Sequence, residues 1–145
     1  MAYAGGRNIG ADVIPGMAGP LSPEYILERA PQIYIATGGA YLAASGGLIV
    51  GPDIAPQVAR ERLSRVAARL GVRETPAAAN GRVHGLWHGL AVSAMNVVAV
   101  EAVARWIHPE FFSDIDPDET IKQINRRFSA VPLTGAMWIS QEGAP

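Results

Sequence analysis

An apolar segment rich in β-branched and aromatic residues limits the choice of fold more than any other feature of the sequence. Residues 32–37 read Gln-Ile-Tyr-Ile-Ala-Thr, and Gly38-Gly39 ends the run. The run is apolar at almost every position rather than at every second one, so we expect a strand buried on both faces, as in a parallel sheet. A second strand is predicted at residues 82–88, directly after the turn-forming Gly81.

Helix signals alternate with these two strands. Residues 22–29 begin Ser-Pro-Glu, which predicts a capped helix start, and residues 56–70 carry apolar side chains at helical spacing. Further helices are predicted at residues 93–107 and 116–128, and from residue 129 onward we expect a tail broken by Pro and Gly. Strands that alternate with helices at this spacing favour an α/β fold built in layers.

Composition excludes several classes of protein. The 145 residues suit one compact domain. The 12 basic and 13 acidic residues give a net charge of −1, so we expect no nucleic-acid partner. The absence of Cys excludes disulfides, thiolate metal sites and Cys nucleophiles. The longest apolar run, residues 94–104, contains Asn96 and Glu101 and is shorter than the roughly 20 residues of a membrane span.

Two histidines four positions apart, His84 and His88, are the first candidates for metal chemistry. On a strand they share a face but lie roughly 13 Å apart, which is too far for one metal ion. No HExxH motif or nearby carboxylate accompanies them, so His88, at the carboxyl end of the strand, is the only one we retain as a metal ligand. No GxSxG elbow or other nucleophile set is present, and we predict no catalytic residues.

The carboxyl ends of the two predicted strands carry the residues best placed for ligand binding. Thr37-Gly38-Gly39 offers bare backbone at the end of the first strand, which is where ligands bind in open α/β sheets. Tyr41 follows it, and Trp87 ends the second strand. Aromatic side chains at such places serve either as ligand platforms or as anchors for loops, and the sequence leaves both roles open.

Several short motifs follow the order and spacing of one protein family. They resemble the C-terminal lobe of the class III periplasmic substrate-binding proteins, which capture iron–siderophores, haem, cobalamin and related metal compounds for ABC importers. The resemblance covers roughly residues 5–138. The motifs are Gly5-Gly6-Arg7-Asn8, Leu21-Ser22-Pro23-Glu24, Pro31-Gln32-Ile33-Tyr34-Ile35, Gly81-Arg82-Val83-His84 and His108-Pro109-Glu110-Phe111-Phe112.

Members of this family have two α/β lobes joined by one long helix, with the ligand held in the cleft between the lobes. The resemblance implies that residues 1–145 form a single domain, a three-layer Rossmann-like lobe with a small, mostly parallel sheet flanked by helices. It also implies that the N-terminal lobe, the linking helix, and the first strand and helix of this lobe are absent from the chain.

The family's role implies a non-enzymatic solute receptor outside the cytoplasm, in the periplasm or its equivalent, although no signal peptide is visible at the start of the chain. The expected partners are a metal-compound ligand, an ABC permease in the membrane and the missing lobe. We expect no cofactor other than the ligand itself, for which a metal chelate and haem are two candidates. Haem, ferric siderophore, cobalamin and an oxyanion such as molybdate all stay open as ligands.

By the same resemblance, the loop after the first strand and the segment after the second face the cleft. The ligand-binding residues implied are Thr37, Gly38, Gly39, Tyr41, Trp87, His88 and Ser93. Arg7 takes a position that is often Glu in the family, where it docks on permease Arg residues. We therefore expect this docking contact to be reversed in charge or moved elsewhere.

Two alternatives from other functional classes remain. One is a small metal-dependent enzyme that uses His84, His88 and His108. The other is a stand-alone interaction domain, a homodimer that covers an exposed sheet edge.

Overall fold

The two strands predicted from the sequence pair in parallel at the centre of the fold. The structure is a computed structural model that describes residues 1–16 and 18–141. Strand β1 is Tyr34–Gly38, and β3 is Val83–Trp87. They pair in register from Tyr34 opposite Val83 to Gly38 opposite Trp87. The parallel pairing confirms one part of the expectation drawn from the continuous apolar run. The expected burial on both faces is wrong, because β1 is an edge strand of the described sheet, with Tyr34 to Ala36 half-buried and Thr37 exposed.

The remaining elements surround this pair. A third strand, β5 (Trp138–Ser140), runs antiparallel to β3, so the strand order is β1-β3-β5. A separate antiparallel pair consists of β2 (Gly51–Pro52) and β4 (Gly135–Ala136). The helices of the described residues are α1 (Pro23–Arg29), α2 (Pro56–Ala67), α3 (Pro76–Ala79), α4 (His88–Ala91), α5 (Asn96–Ile107) and α6 (Pro117–Phe128). Among them, none is both long and apolar enough to span a bilayer.

Helices cover both faces of the three-stranded sheet. On one face, Val98 and Val103 of α5 pack in one apolar cluster with Leu86 of β3. On the other, Leu63 of α2 packs with Val83 of β3 in a second cluster. Val83 and Leu86 therefore point to opposite faces of the sheet, because successive side chains of a strand alternate between its two faces. This arrangement confirms a layered α/β lobe with a small, mostly parallel sheet.

Helix starts with strong capping signals lie where the sequence places them. The Ser22 Oγ accepts a hydrogen bond from the Tyr25 N–H at 3.2 Å, and α1 begins directly after it. Asp116 caps α6 in the same way through the Asp118 N–H. The second helix is shorter than predicted, because the chain tightens into turns after Ala67 and leaves Leu70 exposed.

The expectation of an irregular tail from residue 129 is wrong, because this segment supplies both β4 and β5. In the sequence, Gly135 suggests the end of a strand. In the structure, its φ is 112°, and it lies where two strands come close together. A Cβ at Gly135 would lie 2.6 Å from the Asp53 backbone nitrogen. The glycine thus permits the pairing of β4 with β2 instead of ending a strand.

Candidate functional site

The carboxyl ends of β1 and β3 lie side by side, because Gly38 is the register partner of Trp87. A 3₁₀ turn at Ala40–Leu42 follows β1, and α4 follows β3. The structure therefore brings the two predicted loops to one edge of the sheet, the carboxyl edge. Open α/β sheets bind their ligands at this edge.

The indole of Trp87 lies in a cradle of glycines. A Cβ at Gly51 would lie 2.7 Å from Trp87 Cδ1, and one at Gly39 would lie 3.7 Å from the same atom. A Cβ at Gly89 would overlap the six-membered part of the ring. The ring packs against both apolar clusters while remaining half-buried. The backbone N–H of Trp87 donates to the Met137 carbonyl at 2.7 Å. Trp87 is thus anchored in the core and still reaches the surface.

Other apolar side chains extend this surface. Tyr41 is 69% exposed and lies against Gly39, where a Cβ would be 2.7 Å from Tyr41 Cε1. Val92, just after α4, is 70% exposed, and Val97, in the first turn of α5, is 50% exposed. We call Tyr41, Trp87, Val92 and Val97 the apolar rim. Exposed apolar side chains in the segments that follow the strands of a sheet are candidates for a binding surface.

The glycines that end β1 serve close packing between chain segments. A Cβ on Gly38 would overlap the carbonyl oxygen of Leu48, and the Gly39 N–H donates to that same oxygen at 3.2 Å. The Gly39 amide is therefore used within the fold. Thr37, the residue before them, is exposed.

Ser93 has a local structural role at the start of α5. Its Oγ accepts from the Met95 N–H at 3.2 Å and lies 3.4 Å from the Leu90 carbonyl, to which it donates. Whether Ser93 also contacts a ligand stays a prediction.

The two histidines of the second strand have different environments. His84 is 2% exposed, stacks on Trp106 at 4.5 Å between ring centroids, and places Nδ1 2.9 Å from the Ser140 Oγ. Burial, and secondarily the charge of Arg82, lower the pKa of His84 to about 4, so the ring is neutral at pH 7. His88 instead begins α4 and is exposed. His84 is therefore a core residue, and His88 as a metal ligand stays a prediction.

The three-histidine site of the enzyme alternative does not form. His108 ends α5, where Phe111 and Phe112 surround its ring. Within residues 1–16 and 18–141, no group of three His, Asp or Glu side chains is arranged to hold a metal ion. The metal-dependent enzyme alternative, which would use His84, His88 and His108, therefore has no three-histidine centre among the described residues.

Arg7 lies beside the amino end of β1. Its Nη2 is 2.8 Å from the Asp12 Oδ2, and the side chain is 79% exposed. It lines an open cavity of about 430 Å³ together with Pro31 and Ile33, which precede β1. Arg7 thus lies near the amino ends of the strands, at the edge of the sheet opposite the apolar rim. Its role in docking stays a prediction.

Sequence reasoning missed the residues that hold Trp87 in place. Gly51 and Gly89 are far apart from each other in sequence, and both have the ordinary appearance of loop glycines. The φ of 131° at Gly51, and the 2.7 Å that would separate a Cβ there from the indole, become visible only in three dimensions.

No protein-family model matches the sequence, and no curated protein matches it either. The chain is similar to a solved structure, the crystal structure of the TroA-like periplasmic binding protein FepB from Veillonella parvula, with a TM-score of 0.88 and 25% identity. The fold is similar to that of part of this TroA-like periplasmic binding protein. The match covers 96% of this chain but 40% of that one, a share that fits one lobe of a larger molecule.

Proposed function

We propose that the chain is the C-terminal, ligand-binding lobe of an extracytoplasmic substrate-binding protein that delivers a metal-bearing compound to an ABC permease. The observation that carries this proposal is the likeness, at a TM-score of 0.88, to a protein described as a TroA-like periplasmic binding protein. The apolar rim supports it independently, because it lies at the sheet edge where α/β folds bind ligands. The role is binding and release, without catalysis.

Such a receptor works by closing two lobes over its ligand. The ligand shifts the equilibrium only by as much as it binds the closed state better than the open one. In this lobe, Trp87 and Tyr41 cover an apolar face of a metal chelate or macrocycle. His88 is placed to reach a metal at the same edge, and the missing lobe covers the opposite side of the ligand.

Nuclear magnetic resonance of the 145-residue chain tests the proposal, because chemical shifts detect the weak binding expected of half a cleft. The ligands are cobalamin, gallium-substituted siderophores, a diamagnetic metalloporphyrin and molybdate. We expect at least one to shift the amides of Thr37 to Tyr41 and the indole N–H of Trp87. The indole of Trp106, stacked on His84 inside the core, is the internal control and keeps its shift.

Trp87→Phe retains an aromatic ring but removes the indole signal and part of the contact surface, and we expect it to weaken binding. Shift changes that map away from the carboxyl edge, or no change with any of these ligands, contradict the proposed function.

The homodimer alternative stays a prediction. Strand β1 is an edge strand in the sheet formed by the described residues, so it has backbone groups free to pair with another strand. Light scattering over a wide range of concentrations tests it, and a strict monomer contradicts it.

A further inference from the structure

The segments that build the carboxyl edge carry almost no charge. Residues 38–59 and 87–100 contain the ends of β1 and β3 and the loops that follow them, and residues 129–141 contain β4 and β5. Charged residues make up 17% of the chain, yet these three segments contain no Lys or Arg and a single carboxylate, Asp53. An uncharged stretch of this extent is a property of the edge and not of the protein as a whole.

The cations next to these segments have other contacts or positions. Arg69, after α2, reaches the loop that follows β1, but its guanidinium donates to the Gly46 carbonyl there at 2.8 Å. Arg60 lies on α2, beyond its first turn, and Arg126, near the end of α6, pairs with Glu119 at 2.9 Å. Arg82 lies at the amino end of β3 and donates to the Trp106 carbonyl at 2.7 Å. Arg127 is exposed on α6.

One backbone donor at the end of β1 is already used within the fold. The Gly39 N–H, at the end of β1, donates to the Leu48 carbonyl and is not free for a ligand. Protein sites for anions are built from Arg, Lys or free N–H groups, because an anion that leaves water without such partners pays a large desolvation penalty. An aromatic surface, by contrast, accepts neutral groups and attracts cations to its ring faces.

We propose that this lobe selects uncharged or cationic ligands that present an apolar face, and that it discriminates against anions. The inference rests on the proposed function, since it assigns a ligand class to the same carboxyl edge. A neutral or cationic metal trihydroxamate or a neutral corrinoid fits this surface. A trianionic tris-catecholate chelate and molybdate do not.

A series of gallium complexes that differ in charge tests the inference. The probes are a neutral trihydroxamate, a monocationic trihydroxamate and a trianionic tris-catecholate, each titrated into the 145-residue chain while the Trp87 indole N–H is followed. We expect the first two to bind at least about tenfold more tightly than the third. Equal or tighter binding of the trianion at Trp87 overturns the inference and leaves the proposed function standing. If no gallium probe binds at Trp87, the inference is overturned, whereas the proposed function fails only if cobalamin, the metalloporphyrin and molybdate also leave the Trp87 signal unshifted.

A matched pair of variants shows whether charge is the cause. Ala40→Lys adds a cation at an exposed position beside Gly39 and Tyr41, and Ala79→Lys makes the same change at the exposed end of α3, which precedes β3. We expect Ala40→Lys to tighten binding of the trianion roughly threefold at physiological ionic strength, and more at low salt. We expect no change from Ala79→Lys. An Ala40→Lys variant that folds normally but leaves the affinity for the trianion unaltered overturns the inference.

Discussion

Protonation of His84 opposes folding, so the chain loses stability in mild acid. The imidazole is 2% exposed, stacks on Trp106, and holds Nδ1 2.9 Å from the Ser140 Oγ. Burial, and then the charge of Arg82, lower its pKa from the ordinary 6.5 to about 4. In the unfolded chain the same ring titrates at its ordinary pKa, so between these two values the unfolded state binds more protons than the folded state.

The size of the effect follows from this difference in pKa. One pKa unit corresponds to about 1.4 kcal/mol, so the full shift is worth roughly 3.4 kcal/mol once the pH lies below both pKa values and the ring is protonated in both states. Above the unfolded-state pKa, His84 is neutral in both states and does not lower the free energy of unfolding. The free energy of unfolding falls as the pH drops toward the folded-state pKa. About 2 kcal/mol of the free energy of unfolding is therefore lost between roughly pH 7.5 and 5. The exposed carboxylates of Glu24, Glu74 and Glu119 have lowered pKa values, so they act at more acidic pH.

Urea unfolding followed by circular dichroism at several pH values between about 7.5 and 5 measures this loss. In His84→Phe, an aromatic ring still stacks on Trp106 but cannot titrate, so we expect its dependence on pH to be weaker by about 2 kcal/mol over this range. The comparison concerns the slope, and the absolute stability of the variant does not affect it. His88→Gln removes an exposed imidazole and should keep the original slope. A His84→Phe variant with the slope of the unaltered chain refutes the reasoning.

Two further perturbations test other parts of the fold. Arg82→Ala removes the guanidinium that donates to the last carbonyls of α5 at 2.7 and 3.1 Å, and we expect a loss of about 2 kcal/mol in urea unfolding. Arg60 is exposed, so Arg60→Ala should lower the free energy of unfolding by less than about 0.5 kcal/mol. If Arg82→Ala and Arg60→Ala cost the same, the hydrogen bonds of Arg82 do not stabilise the fold as argued. Gly51→Ala places a Cβ 2.7 Å from Trp87 at a φ of 131°, so thermal unfolding should report a loss of about 2 kcal/mol or more. Gly16→Ala, with open space around it, should change little, and an unaltered Gly51→Ala protein contradicts the proposed packing.

Elements with strong local signals could be predicted from the sequence. The apolar run that became β1 has no alternation to suggest a solvated face, and its parallel pairing with β3 follows from that pattern. The starts of α1 and α6 follow from Ser22 and Asp116, because a capping side chain acts within its own few residues. Such features are local, so neighbouring residues carry enough information to place them.

Elements that depend on distant partners could not be predicted. Strand β5 is three residues long, and it forms because Ile139 pairs opposite Gly85 of β3 and packs on the α2 side of the sheet. The site shows the same limit. The sequence places Trp87 at the correct edge, because this residue ends a predicted strand. Whether its ring is a ligand platform or a loop anchor depends on its packing against Gly51 and Gly89, which are distant from each other in sequence.

The structure resolves that choice by giving Trp87 both roles, and this has a consequence for binding. A ring held by the core on one side and exposed on the other needs no ordering when a ligand arrives, so it contributes contact area at low entropic cost. Tyr41, at 69% exposed, lacks this support and must lose side-chain freedom to make an equal contact. On the proposed function, Trp87 therefore supplies more of the affinity than Tyr41. Gly51 is then part of the binding site in energetic terms, because its missing side chain is what allows the indole to occupy that position.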